Sequence, residues 1–202
     1  MEFKELKELL ERNRSYRRFK QKERISREIL AELASLACLC ASGRNLQPLK
    51  YRLVEEAGEC DSVFPLLGWA GYLADWCGPA EGERPAAYIV QCLDRGLTSD
   101  PMCDEGLQLE AITLGAVSRG FGSCIVKSFD RKELARILEL PEDIEPRHVI
   151  ALGVPAEEVR LEPMKDGDCR YWRDERGIHH VPKRGACEIF VVSRTKCKNF
   201  ED

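Results

Sequence analysis

The run Ala86-Ala87-Tyr88-Ile89-Val90-Gln91-Cys92-Leu93 constrains the fold more than any other stretch, because Gln91 is its only polar member. A strand turns successive side chains to opposite faces, so a strand apolar at both parities is buried on both and its sheet needs cover above and below. Further strands are predicted at Tyr51–Val54, at Gly122–Val126 behind a glycine-rich turn, and at His148–Val154 with Pro155 after it.

Helical spacing supplies the cover. Phe3, Leu6, Leu9 and Leu10 mark an amphipathic helix over 3–14. Ile25, Ile29, Leu30, Leu33, Leu36, Ala37 and Cys40 mark another over 25–40, opened by Ser26. Asp104 opens a third, which runs through Leu107, Ala111 and Leu114 until Gly120 stops it. Ser128-Phe129-Asp130 caps a fourth over 131–138. Residues 55–82 show no clear period; Val63–Leu73 is apolar and aromatic but broken by glycine. From Ala156 onward the pattern is a charged arm with a basic spot at Lys183-Arg184 and a short apolar run, Ile189–Val192. Strands follow helices without strict alternation, which predicts one α+β domain with helices on both faces of its sheet.

With 202 residues, 44% hydrophobic and 33% charged, the chain can bury a proper core, and a net charge of -4 argues against a general nucleic-acid binder. No apolar run reaches membrane-spanning length and the N-terminus is charged, so a cytoplasmic protein with no membrane partner is expected. Ten cysteines are many for this length. Several sit in apolar settings (Cys38 and Cys40, Cys92, Cys124), where free buried thiols are expected. There is no Cys-x-x-Cys, and His179 and His180 lie far from any cysteine pair, so no metal site is expected.

Two polar stretches carry the chemistry. Ala41-Ser42-Gly43-Arg44-Asn45-Leu46-Gln47-Pro48 joins a helix to a strand, yet it holds a guanidinium, two carboxamides and a hydroxyl, enough to grip a polar heterocycle. A solvated turn is the plain alternative. Asn13-Arg14-Ser15-Tyr16-Arg17-Arg18-Phe19 crowds arginines around a hydroxyl, which suits an anion such as phosphate or a basic helix end facing its dipole. Gly120-Phe121-Gly122 follows a helix and lacks a third glycine, so it is no dinucleotide fingerprint.

Taken in order, Arg14–Phe19, Ala41–Pro48, Asp104–Gly122 with Gly-Phe-Gly-Ser-Cys, Ser128-Phe129-Asp130 and Val149–Pro155 resemble the FMN-dependent nitroreductase family over about residues 3–155. The resemblance implies a central mixed or antiparallel sheet flanked by helices, in an intertwined homodimer with FMN at the interface. It also implies a division into an FMN-binding domain, 1–155, and a C-terminal arm, 156–202, completing the flavin site and the dimer. Carried over by position, it assigns Asn13, Arg14, Ser15 and Arg17 to the flavin phosphate and pyrimidine edge, and Ser42, Arg44, Asn45 and Gln47 to a reach across from the partner chain. The backbone N–H groups of Lys127 and Ser128 fall to flavin N5 and O4, and Lys183 and Arg184 to the phosphate. Asn13 stands where arginine is common, Ala41 where proline is usual and Leu49 where tryptophan is common.

The activity implied is a ping-pong cycle in which NADH or NADPH reduces FMN, leaves, and is replaced by a small-molecule electron acceptor such as a nitroaromatic or quinone. The flavin carries the electron chemistry, so no catalytic side chain is required. Arg17 is the candidate at the pyrimidine end, and Trp69, Tyr72 and Phe121 are candidates for the pocket wall or the core. Desaturation, dehalogenation or flavin breakdown on the same scaffold stays open, as does a non-catalytic flavin binder or a thiol sensor using Cys38, Cys40 or Cys124.

Overall fold

The structure, a computed structural model, describes residues 2–191. Val192, the last residue of the predicted apolar run, lies outside them. The chain begins with α1 (Phe3–Arg12), α2 (Arg27–Ser35), β1 (Leu49–Val54) and α3 (Ala57–Val63). Then come β2 (Ala87–Asp94), α4 (Asp104–Ser118), β3 (Gly122–Val126), α5 (Arg131–Ile137) and β4 (Ile144–Gly153). The tail adds β5 (Val159–Pro163), β6 (Trp172–Arg173), β7 (His179–Lys183) and a short α6 (Ala186–Ile189).

The main sheet has the order β1-β2-β4-β3, and every neighbouring pair is antiparallel. The central position of β2 explains its apolar sequence. Tyr88, Val90 and Cys92 point to one face, where Val63 of α3 and Leu134 of α5 cover them. Ala87 and Ile89 point to the other, under Leu30 and Leu33 of α2 and Leu109 and Ile112 of α4. A sheet packed on both faces by helices is the arrangement that its sequence demanded.

Gln91, the polar exception in β2, is fully buried, so its amide needs partners inside the core. Its Nε2 donates to the Tyr51 hydroxyl (3.2 Å) and the Glu105 carbonyl (3.3 Å), and its Oε1 lies 3.1 Å from His148 Nδ1. Tyr51 in turn donates to Gln108 Oε1 at 2.6 Å. The irregularity in the β2–β4 register falls at the same place, between Gln91 and Cys92.

Helix caps follow the sequence closely. The Ser26 hydroxyl accepts from the Ile29 N–H, the Asp130 carboxylate accepts from the Glu133 N–H at 3.0 Å, and Gly120 closes α4 with φ 83°. The predicted helix over 25–40 differs: it stops at Ser35 and tightens into a 3₁₀ turn, Leu36–Leu39. That turn brings Leu36 hard against α4, where a Cβ on Gly115 would lie 2.3 Å from Leu36 Cδ1. It also leaves Cys38 exposed, against expectation. Of the nine described cysteines, Cys60, Cys92 and Cys124 are buried. Residues 57–63, which showed no period, form α3.

The tail is more ordered than its charge pattern suggested. β5 pairs parallel with β7, and β6 pairs antiparallel with β7 on its other side. The link from β4 into this small sheet pairs with the segment after α1: the Ala156 N–H donates to the Arg18 carbonyl (2.9 Å), the Lys20 N–H donates to the Val154 carbonyl (2.8 Å), and Phe19 bridges to Pro155. No helix among the described residues is long and apolar enough to cross a membrane.

Candidate functional site

The 42–47 loop is held by a carboxylate that sequence reasoning had assigned only to a helix start. Asp104, 1% exposed in the first turn of α4, accepts from the Ser42 hydroxyl through Oδ2 (2.5 Å) and from the Gly43 N–H through Oδ1 (2.8 Å). The same Ser42 oxygen accepts from the Gln47 N–H at 2.8 Å. Between these anchors Arg44, Asn45 and Gln47 all take left-handed backbone, with φ of 52°, 56° and 50°. Each such residue costs on the order of 1 kcal/mol, more for Arg and Gln than for Asn. The loop spends that strain to turn its polar side chains outward. Arg44, Asn45 and Gln47 are exposed, and the Arg44 guanidinium has no partner among the described residues. Beside them a cavity of about 180 Å³ is lined by Gln47, Tyr51, Gln108, Cys38 and Cys40.

The 13–17 segment begins as the C-cap of α1. The Asn13 amide is committed to α4, donating to Glu110 Oε1 (3.2 Å) and Thr113 Oγ1 (3.0 Å). Arg14 donates to the Leu10 carbonyl at 2.6 Å, and its buried Nε has no partner. Ser15 bridges to Ser123 at the start of β3. Since Asn13 meets α4 at Thr113 and Ser42 meets it at Asp104, nine residues apart, these two polar stretches anchor about 13 Å from each other along one helix.

Arg17 is fixed by the tail. Its Nη1 donates to the Ser15 carbonyl (3.2 Å) and lies 3.0 Å from His179 Nε2, while the Tyr171 ring stands 4.8 Å from its Cζ. Glu157 Oε1 accepts from the Arg17 N–H (2.5 Å) and the Arg18 N–H (3.2 Å), and its other oxygen takes a guanidinium bond from Arg173 at 2.7 Å. Arg18 itself pairs with Glu83. Burial drives His179 down to about 4, helped by the positive charges of Arg17 and Arg173, so its ring is neutral. Its neighbour His180 is pushed the other way by its bond to Glu162 at 2.7 Å.

Lys127 and Ser128 follow β3, both exposed, and neither N–H has a partner among the described residues. Their positions are set by the neighbouring loop: Ser128 offers its carbonyl to the Gly68 N–H at 2.7 Å, and Phe129 bridges to Leu67. Lys183 ends β7, exposed, and its carbonyl accepts from the Met164 N–H (2.9 Å); Arg184 pairs with Glu188 at 3.4 Å. Four strand residues, about 13 Å, separate Lys183 from the His179 that meets Arg17. The tail thus reaches the early basic segment through Glu157, Tyr171 and His179, which sequence reasoning missed. Nothing local marks His179, since its contact lies 162 positions away in the chain.

Trp69 packs against the α3/α5 side of the core and Phe121 against the α2/α4 side, whereas Tyr72 is exposed and meets Tyr171 edge-on at 5.0 Å. Burial raises the Cys124 thiol to about 11 and, with Cys38 beside it, also raises Cys40. Both remain protonated and weakly nucleophilic at neutral pH. Among the described residues no group of three His, Cys, Asp or Glu side chains is placed to hold a metal.

An antiparallel sheet of this order, sandwiched between helix pairs, defines a nitroreductase-like α+β fold. A nitroreductase family protein from Streptococcus pneumoniae TIGR4 superposes with a TM-score of 0.63 over 79% of this chain and 94% of its own, at 18% identity. An FMN-dependent nitroreductase from Clostridium difficile R20291 gives 0.60 at 20% identity, over 74% of this chain and 87% of its own. An FMN complex from Exiguobacterium sibiricum 255-15 gives 0.61 at 16% identity, over 74% and 88%. No family profile matches the sequence. At such identities the likeness shows the fold.

Proposed function

We propose that this chain is a cytosolic FMN-dependent oxidoreductase of the nitroreductase family, passing electrons from NADH or NADPH to a nitroaromatic, a quinone or a related small acceptor. The observation that carries the reading is the 42–47 loop: three polar residues, Arg44, Asn45 and Gln47, held in strained left-handed backbone by one buried carboxylate, on a fold shared with FMN-binding proteins. Strain of this kind persists where a ligand site requires it.

The chain's unspent donors fit the cofactor. The free N–H groups of Lys127 and Ser128 suit acceptors on the flavin ring, and the uncommitted edge of Arg17 suits the pyrimidine end. Ser15, Arg14, Lys183 and Arg184 would serve the phosphate. Asn13, already bonded twice to α4, would act by fixing the segment. When bound, FMN supplies the two-electron chemistry, and the protein's part is to bind, orient and tune it.

The reading includes a homodimer in which Ser42, Arg44, Asn45 and Gln47 face the partner's flavin, with residues 1–155 as the FMN-binding domain and 156–202 completing it. Leu39 (84% exposed) and Leu107 (47% exposed) support this, since they present apolar surface, on elements joined where the Cys40 thiol meets the Leu107 carbonyl, that a second copy would cover. A thiol sensor working through Cys40 or Cys124 is disfavoured by their raised thiols.

The test is a visible absorption spectrum of the purified protein with FMN, taken before and after anaerobic NADH or NADPH. Flavin bands that co-elute with the protein at dimer mass and bleach on reduction are expected. A protein that takes up no FMN refutes the proposal.

A further inference from the structure

We infer that His179 is a positioning residue for Arg17: the tail sheet holds one nitrogen of the guanidinium so that its opposite edge is presented to the flavin. This rests on the function proposed above. A guanidinium carries only donors, so His179 Nε2, 3.0 Å from Arg17 Nη1, must be the acceptor and the ring proton must sit on Nδ1. The other Nη1 hydrogen goes to the Ser15 carbonyl at 3.2 Å. Nη1 is thereby saturated, while the Nε and Nη2 hydrogens have no partner among the described residues. Those hydrogens form the planar side fork that matches two adjacent acceptors, such as a ring nitrogen and carbonyl of the pyrimidine edge.

The clamp is rigid for a stated reason. His179 is 0% exposed; its ring packs 5.1 Å from Tyr171, whose other contact is Arg17 itself, and Tyr72 braces Tyr171 edge-on at 5.0 Å. His179 Nδ1 is buried with no partner. An unpaired buried donor is costly, so this ring is held for what its other nitrogen does. Protonation would turn Nε2 from acceptor to donor and set it against Arg17.

The test titrates FMN and riboflavin, by quenching of flavin fluorescence, into full-length wild type, His179→Leu and His179→Gln. Because the fork acts on the ring system common to both ligands, His179→Leu is expected to weaken both by about tenfold, the order of one hydrogen bond to a charged group. Glutamine can place an amide oxygen near the Nε2 position, so His179→Gln is expected to recover affinity to within about twofold. Unchanged affinity in His179→Leu, no recovery in His179→Gln, or a loss confined to FMN overturns the inference. If His179→Leu does not fold, the ¹⁵N spectrum of histidine-labelled wild type decides: Nε2 must show as an unprotonated acceptor whose signal moves in Arg17→Gln. The titration and the spectrum together separate the two failures. Wild type that binds neither flavin refutes the proposed function, whereas a protonated Nε2 at neutral pH refutes the clamp.

Discussion

Replacing Asp104 tests the central idea that one buried carboxylate holds a strained loop. Its two oxygens accept from the Ser42 hydroxyl at 2.5 Å and the Gly43 N–H at 2.8 Å, and the side chain is 1% exposed. Hydrogen bonds to a charged group contribute about 1.5–3 kcal/mol each. Two such bonds put the loss in Asp104→Ala at about 3–6 kcal/mol, with the lower end favoured because Ser42 and Gly43 are half-buried and can recruit water. Asp104→Asn keeps one acceptor oxygen and is expected to lose about half as much. Urea unfolding at fixed protein concentration measures this as a lower midpoint with an unchanged slope. A double-mutant cycle with Ser42→Ala is expected to show a coupling of about 1–2 kcal/mol. An Asp104→Ala midpoint equivalent to less than about 1 kcal/mol of destabilisation, or strict additivity with Ser42→Ala, refutes the argument.

Three further outcomes are expected. Arg44→Gly relieves left-handed backbone, so stability should rise by about 0.5 kcal/mol while FMN affinity falls; a fall in both excludes strain held for binding. Gly115→Ala drives a methyl into Leu36 Cδ1, and thermal unfolding should show a loss of about 1–3 kcal/mol; a neutral result means that the 3₁₀ turn yields freely. His179 has a folded pKa of about 4 against an ordinary value of 6.5. Below pH 6.5 the unfolded chain binds a proton that the folded chain refuses, so stability falls as pH drops from 6.5 to about 4 and changes no further from this group below that. Unfolding curves from pH 7 to pH 4 should show wild type losing about 3 kcal/mol more than His179→Gln; parallel curves refute the assignment.

Much of this protein was legible locally because the signals are local. Ser26, Asp130 and Gly120 cap helices through bonds or dihedrals that span a few residues, and the apolar run at 86–93 has to be a buried strand whatever surrounds it. Gln91 stood out in that run, but its partners Tyr51 and His148 lie 40 and 57 positions away and appear only when three strands are laid side by side. The tail was opaque for a related reason. Its strands are charged and short, and they are held by the backbone ladder and by Glu157 and His179 docking on residues 17 and 18, with no alternating apolar face to betray them.

Sequence by itself therefore determined the strands of the main body, every helix there but α3, the caps at Ser26, Asp130 and Gly120, and the polar stretches at 13–17 and 42–47, because periodicity and capping act over one or two turns. Tertiary structure decided that the sheet is antiparallel throughout, where the resemblance left it mixed or antiparallel, that Asp104 holds the strained 42–47 loop, and that the tail meets Arg17 through His179. Those are contacts between residues far apart in the chain, and no residue carries a mark of a partner that only folding brings within 3 Å.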